Sequence, residues 1–475
     1  MTVDEDDYHQ QLRSRFEAQQ CAFRQNGKLD YAARLAAVDA LLQGILACKE
    51  ELARALDEDF GGRAHEETYL LDMFSLVEEI RLVKRHLKEW MRPRRVPVGW
   101  QFLPSTARVL HQPLGVVGII GPWNYPLLLN LSPLVAALAA GNHAMVKPSE
   151  LAPRSAERIR QLIADLYPPE YVTVVTGGPD VSAAFSALPF DGLLFTGSTR
   201  VGRLVMRAAS ENLTPVTLEL GGKSPTIVHP DFPLRRAAER IVTGKLFNAG
   251  QTCIAPDYLL LHDSQREAFL RLAWAIVRER YPRLVANRDY TRIINHGHYQ
   301  RLLGLMEDAR ARGATVVPIN PADELCTPEN RVLPPTLISG VTDDMAVMQE
   351  EIFGPILPVV TYRTLDEAIE YVNSRPRPLA LYYFDDDRPR VDRVLNATTS
   401  GGATVNDVMQ HIAQSQLPFG GVGPSGMGHY HGHHGFETFS KKKGVLFQSR
   451  FGVPAIVRPP YTTPLKLLIR ALLRF

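Results

Sequence analysis

Cys253 lies in the run Phe247-Asn248-Ala249-Gly250-Gln251-Thr252-Cys253-Ile254-Ala255, and a thiol on a turn bounded by glycine can be held open to substrate as a nucleophile. A thiolate that adds to a carbonyl leaves an oxyanion, which needs a donor. Asn124, closing Gly121-Pro122-Trp123-Asn124, carries a side-chain N–H suited to that task. Glu219, within Leu218-Glu219-Leu220-Gly221-Gly222, could deprotonate the thiol or activate a water, and burial would favour the second role by raising its pKa. Each residue also has a plainer use. Free cysteine commonly serves as a small buried hydrophobe, Asn is a preferred cap for a helix such as one starting near Pro126, and a strand glutamate is often half of a structural ion pair.

These residues can act together only if the fold gathers their segments. From Tyr8 to about Trp90, apolar residues such as Leu35, Val38, Leu41, Leu42 and Ile45 recur at helical spacing, which predicts helices covering a sheet. Pro93, Pro97 and Pro104 exclude a long helix between Met91 and Leu110 and predict an extended excursion or edge hairpin suited to subunit contact. Between Gly115 and Leu220, β-branched runs alternate with helical patterns, which predicts a parallel sheet whose ligands gather at the carboxyl ends of its strands. The run Phe195-Thr196-Gly197-Ser198-Thr199-Arg200-Val201-Gly202 closes one strand and opens a helix, so its donors could face a pyrophosphate; an ordinary strand-to-helix turn is the alternative. From Lys223 to about Thr399 a second α/β pattern carries Cys253, with helices near Arg266 to Arg280 and Tyr299 to Arg312. The stretch Pro418 to Gly426 is too rich in Gly and Pro for regular structure. Gly421, Gly423 and Gly426 fit G-x-G-x-x-G, but no clear strand precedes them and Pro424 interrupts, so the match is read as accidental.

At 475 residues, two or more domains are expected. A formal net charge of +2, with 22% charged and 45% hydrophobic residues, describes a soluble globular chain without the electrostatic footprint that nucleic acid requires. Cys21, Cys48, Cys253 and Cys326 show no CxxC spacing, which fits free thiols and a cytoplasmic location. The acidic start, Met1 to Tyr8, has no apolar region and speaks against a secretory or transit signal. No stretch reaches the roughly 18 uninterrupted apolar residues of a spanning helix, and Tyr125 to Ala140 reads as a buried helix. His429, His431, His433 and His434 are interleaved with glycine and lack the spacing of zinc ligands, so no metal is expected. In the tail, Lys466, Arg470 and Arg474 fall on one face of an amphipathic helix over residues 464–475. Capping a substrate entrance or packing on a partner suits that helix better than membrane-surface contact, because one short helix anchors weakly.

The runs around Asn124, Glu219 and Cys253, with Ala255-Pro256-Asp257-Tyr258 and Tyr125-Pro126, resemble the aldehyde dehydrogenase superfamily from about Phe16 to Phe451, and within it the class 3 branch that handles fatty, aromatic and coniferyl aldehydes. The resemblance implies an α/β fold with a doubly wound parallel-sheet cofactor domain, an α/β catalytic domain and a β oligomerisation arm. It divides the chain into 1–90 and 107–222 for NAD(P) binding, 91–106 and 422–445 for bridging and oligomerisation, 223–421 for catalysis, and a tail of 446–475. It makes Cys253 the nucleophile, Glu219 the base, and Asn124 with the Cys253 backbone N–H the oxyanion donors. Cofactor contacts would come from Trp123, Lys147, Glu150, Gly197, Ser198, Gly202, Leu220, Glu351 and Phe353, with Lys147 and Glu150 on the adenosine ribose and Glu351 and Phe353 on the nicotinamide ribose. A carboxylate beside a ribose repels a 2′-phosphate, so NAD is the first choice and NADP the second. The implied reaction is NAD(P)-dependent oxidation of a medium- or long-chain aliphatic or aromatic aldehyde to the acid, through a thiohemiacetal and a thioester, in a homodimer. Its rivals are transfer of the thioester to coenzyme A and a non-catalytic binding protein on the same fold. Tyr69 and Tyr125 are read as an aromatic mouth.

Overall fold

Alternating inward residues explain the first sheet. In the β-branched strand Val116–Ile120, Val117 and Ile119 join a core with helix Leu128–Ala140, while Val116 and Ile120 join another with Leu12, Phe16 and Val205. The computed structural model describes residues 5–450 and 459–473; Met1 to Asp4 of the acidic start, the stretch 451–458, and Arg474 and Phe475 of the tail lie outside them. The sheet runs Gly426–Met427, Val216–Leu220, Gly192–Gly197, Val116–Ile120, His143–Lys147, Val172–Val174, and all neighbours are parallel except the first pair. Its five parallel strands follow the doubly wound order, and the order reverses between Val116–Ile120 and Gly192–Gly197. That reversal opens a crevice at the carboxyl ends, the usual ligand position in such sheets.

Helix Leu128–Ala140 is buried along its whole length, and it begins two residues later than Pro126 suggested. Helix Thr199–Ser210 is capped by Ser198, whose side chain accepts from Val201 N at 3.4 Å. Gly202 lets that helix lie against the strand Val216–Leu220, where a Cβ would come within 2.7 Å of Leu220. The glycines of the accidental motif have a similar use. Gly426 adopts a φ of 144°, and a Cβ there would meet the carbonyl of Leu218 at 2.2 Å, so the loop presses onto the strand that holds Glu219.

A second sheet runs Thr315–Pro318, Thr336–Ser339, Ile356–Tyr362, Tyr258–His262, Pro225–Val228, Ala380–Phe384, Gly402–Val405, parallel except for its first pair. A third, of Arg94–Val96, Thr106–Pro113 and Ser440–Phe447, is antiparallel, with a half-buried central strand and mainly exposed outer strands. Among the described residues no single helix is long and apolar enough to cross a membrane. Helix Thr463–Leu473 buries Leu465 and exposes Leu467, Leu468, Ile469, Leu472 and Leu473.

Candidate active site

The turn before Cys253 is built from left-handed backbone. Asn248, Ala249 and Gly250 have φ of 52°, 51° and 74°, and at Gly250 a Cβ would stand 2.3 Å from the Gly354 carbonyl. Such a run persists only if its surroundings hold it. Gln251 does much of that holding: its Nε2 donates to the carbonyls of Asn248 and Arg292, each at 3.0 Å, and its Oε1 accepts from Ile294 N at 2.9 Å. Asn248 Nδ2 donates to the carbonyls of Gln251 at 3.2 Å and Asn124 at 3.0 Å, which joins this turn to the Pro122–Asn124 turn.

The Asn124 side chain does not cap a helix; its Nδ2 donates to Gln251 O at 3.1 Å. The Asn124 carbonyl also accepts from buried Arg63 at 3.0 Å, and Arg63 is paired with buried Asp72 at 2.9 Å. Asp72 in turn accepts from Leu128 N at 3.1 Å, so one buried ion pair ties the Asn124 turn to the start of the following helix. Sequence reasoning passed over Arg63 and Asp72, because His65, Glu66 and Glu67 lie between them and nothing local marks which of these charges are buried.

Glu219 is 3% exposed, and neither carboxylate oxygen has a partner. The ion-pair alternative therefore fails. Burial alone raises its pKa well above the carboxylate range. Burial, and then the Glu351 and Glu219 carboxylates, push the Cys253 thiol up.

Asn124, Glu219 and Cys253 line one cavity of about 700 Å³ together with Trp123, Gly197, Ser198, Leu220, Glu351 and Phe353. It opens at the crevice where the strand order reverses, beside the first turn of helix Thr199–Ser210. Thr196 Oγ1, His298 Nδ1 and Glu351 Oε1 are buried there without partners. Unpaired polar atoms, a helix N-terminus and a topological switch point fit a nucleotide with a pyrophosphate. Trp123 packs against Phe353 at 5.4 Å and His298 at 5.0 Å, and Phe353 is strained at a φ of 52°. Burial, with neighbouring Asp257 adding to it, raises Glu351 to about 8. Lys223, paired with Asp257, donates to the carbonyls of Val347 and Glu350 at 2.8 Å, and Arg301 donates to the carbonyl of Ile352 at 2.5 Å, which pins the loop.

Not every candidate reaches this cavity. Lys147 and Glu150 pair with each other at 3.3 Å one strand away, where Ile120 faces Lys147 in register, and Gly202 is packed under Leu220. Arg200, in the run from Phe195 to Gly202, lines the cavity, as do His298 and Arg301, which went unnoticed on a helix with no local motif. His429, His431, His433 and His434 pack against aromatic and histidine rings, His431 stacking on Phe419 at 5.2 Å.

A second cavity, of about 230 Å³, reaches Cys253 from elsewhere and is lined by Leu70, Leu71, Phe74, Tyr125, Leu128, Phe247, Met409 and Ile412 among others. Tyr125 is at its wall, with its hydroxyl 2.7 Å from that of Thr252. Tyr69 is not: it packs on the core and on His65, and Leu70 and Phe74 take the position that had been expected for it. The cause is local, since Thr68–Phe74 is a π-helical turn that rotates the face.

A thiol between a nucleotide-shaped crevice and an apolar channel is what oxidation of a carbonyl on sulfur requires, and a profile of the aldehyde dehydrogenase family matches residues 3–445. The chain belongs to the aldehyde dehydrogenase family. It is thus an oxidoreductase of that family, with the α/β fold its sequence led one to expect. It is 50% identical over 459 residues to a probable coniferyl aldehyde dehydrogenase of Pseudomonas aeruginosa, covering 97% of this chain and 95% of that protein. Among solved structures, the substrate-bound state of Staphylococcus aureus AldH superposes with a TM-score of 0.91 at 39% identity, covering 97% of this chain and 99% of that one. Betaine aldehyde dehydrogenase from Staphylococcus aureus, in complex with NAD+, gives a TM-score of 0.84 at 28% identity, covering 93% and 88%.

Proposed function

We propose that this protein oxidises apolar aldehydes, aromatic and cinnamyl-type ones foremost, to carboxylic acids with NAD, and that Cys253 is the nucleophile. The observation that carries this is the position of Cys253 where the crevice and the apolar channel meet, with Asn124 and Glu219 on the crevice side. The name of the Pseudomonas aeruginosa relative supports the aryl preference, and the apolar channel is equally compatible with medium- and long-chain aliphatic aldehydes. NADP is the second cofactor choice.

In this reading the Cys253 sulfur adds to the aldehyde carbon, and Asn124 Nδ2 with the Cys253 backbone N–H holds the oxyanion. Asn124 is preorganised for this by the Arg63–Asp72 pair behind its carbonyl. When bound, the nicotinamide supplies the hydride acceptor. Glu351, Phe353 and Trp123 would seat its ribose and ring, Ser198, Gly197 and the helix N-terminus its phosphates, and Lys147 with Glu150 the adenosine ribose. Gly202 and Leu220 shape the floor by close packing. Glu219, with both oxygens free and its pKa raised, then takes a proton from the water that cleaves the thioester. A homodimer belongs to the same reading, supported by exposed Trp100, Leu103, Leu446 and Phe447 on and beside the three-stranded sheet. A cytosolic location is supported by four free cysteines.

The test is NADH formation from short aliphatic, long aliphatic and cinnamyl-type aldehydes with each cofactor, with the product identified by mass spectrometry. A free acid is expected. A product formed only when coenzyme A is added, as its thioester, would overturn the hydrolytic reading.

A further inference from the structure

Asn248, at a φ of 52°, opens the left-handed run that leads to Cys253, and its backbone N–H donates to Glu67 Oε1 at 3.1 Å. A side chain from a distant segment therefore holds the strained end of the turn. The other oxygen of the same carboxyl accepts from the hydroxyl of buried Thr291 at 2.6 Å. Glu67 is tied on both oxygens.

These bonds belong to a closed circuit. Thr291 precedes Arg292, whose carbonyl accepts from Gln251 Nε2 at 3.0 Å, and the same Nε2 donates to the Asn248 carbonyl at 3.0 Å. From Glu67 the path runs through Asn248, Gln251, Arg292 and Thr291 and returns to Glu67. One of its two donors to the carboxyl comes from the turn that carries the thiol, the other from the segment that braces that turn. Arg292 N also donates to the Gly62 carbonyl at 2.9 Å, so the chain just before Glu67 meets the brace at a second point. Directly after Glu67 begins the π-helical turn Thr68–Phe74, whose Leu70, Leu71 and Phe74 wall the apolar channel. A single side chain thus sets the thiol-bearing turn against that wall.

We propose that Glu67 is a positioning residue for Cys253: by holding the Asn248 N–H and the Thr291 hydroxyl at once, it fixes the turn so that the sulfur and the Cys253 backbone N–H meet the same carbonyl as Asn124. This rests on the reading of Cys253 as nucleophile. Among the described residues the Glu67 carboxyl bonds to Asn248 and Thr291 and not to the thiol, so it acts by the geometry of its acceptors. Glutamine can keep that geometry, accepting from Asn248 on Oε1 and donating from Nε2 to the Thr291 oxygen, because a hydroxyl both donates and accepts. Aspartate is one methylene short. Alanine offers no acceptor.

Single-turnover NADH formation, with full-length enzyme in excess over a cinnamyl-type aldehyde and NAD+ saturating, gives a rate constant that does not depend on how many sites are folded. The stoichiometry of NAD+ binding and the Tm report the folded sites instead. Glu67→Ala should lower the rate constant by roughly 10- to 10²-fold, the scale of a misplaced reacting group, with the NAD+ Kd unchanged. Glu67→Asp should fall between, and Glu67→Gln should return to within about threefold of wild type. Because both residues serve one carbonyl, Asn124→Ala should cost about tenfold less in the Glu67→Ala background than in wild type. Should Glu67→Ala fail to fold, Glu67→Asp carries the same comparison with a smaller loss. The proposal is overturned if Glu67→Ala keeps the wild-type rate constant, whatever it does to Tm, or if its loss and that of Asn124→Ala multiply in full. Glu67→Gln as slow as Glu67→Ala overturns it too, since charge and not geometry would then be what counts. If Cys253→Ala forms NADH normally, the nucleophile reading fails and takes this one with it.

Discussion

On the side of Cys253 bounded by strand ends, the walls carry Glu219, Glu351, Arg200, Arg301 and His298; on the other side they carry Leu70, Leu71, Phe74, Leu128, Met409 and Ile412. The first wall is held by specific bonds, through Gln251, Lys223, Arg301 and the Arg63–Asp72 pair. The second is held by packing, and its outer residues Leu70 and Phe74 are 54% and 56% exposed. Directional bonds fix a ligand of one shape, whereas apolar contacts scale with area and tolerate many shapes. The difference suits an enzyme with one cofactor and a family of substrates.

Substitutions can break this contrast or sharpen it. The largest effect is expected at the junction: Cys253→Ala should lower NADH formation by about four orders of magnitude or more with every aldehyde, whatever the side chain in the channel. Asn124→Ala should lower kcat by roughly 10²- to 10³-fold, the usual loss of an oxyanion donor, with a smaller change in KM. Ile412→Asn, on the apolar side, should raise KM about tenfold for a hydrophobic aldehyde and leave the NAD KM unchanged; an equal change in both would erase the distinction between the walls.

The smallest effect concerns pH. Glu351 has a folded pKa of about 8, well above its unfolded value of roughly 4.3. Its folded form therefore holds the extra proton, and the stability it contributes is complete below the unfolded pKa and lost as pH rises toward the folded one. Glu351→Gln should flatten the decline of Tm across that interval by a few degrees at most, as read by thermal unfolding in a pH series.

Much of the fold was legible because strand runs such as Val116–Ile120 and helices such as Arg266–Arg280 announce themselves by period. The segments of Cys253, Glu219 and Asn124 were legible for a different reason: each is a short run at a strand end or turn, where few residues decide geometry. What escaped was set by long-range contact. Arg301 and Lys223 reach the loop before Phe353 from distant segments, and no local pattern ties them to it. Tyr69 was misplaced because nothing in the local sequence marks the π-helical turn Thr68–Phe74, in which Leu70 and Phe74 rather than Tyr69 border the channel. Asn124 looked like a cap because its partner Gln251 is remote in the chain.

Leu129 borders both chambers. Enlarging or trimming it to suit a new guest would also reshape the crevice beyond Cys253, so altered taste at that position comes at the expense of grip on whatever fills that crevice. Diversification of such an enzyme is thereby steered outward to rim positions such as Phe74 and Ile412, which can drift while the oxidising centre stays as it is.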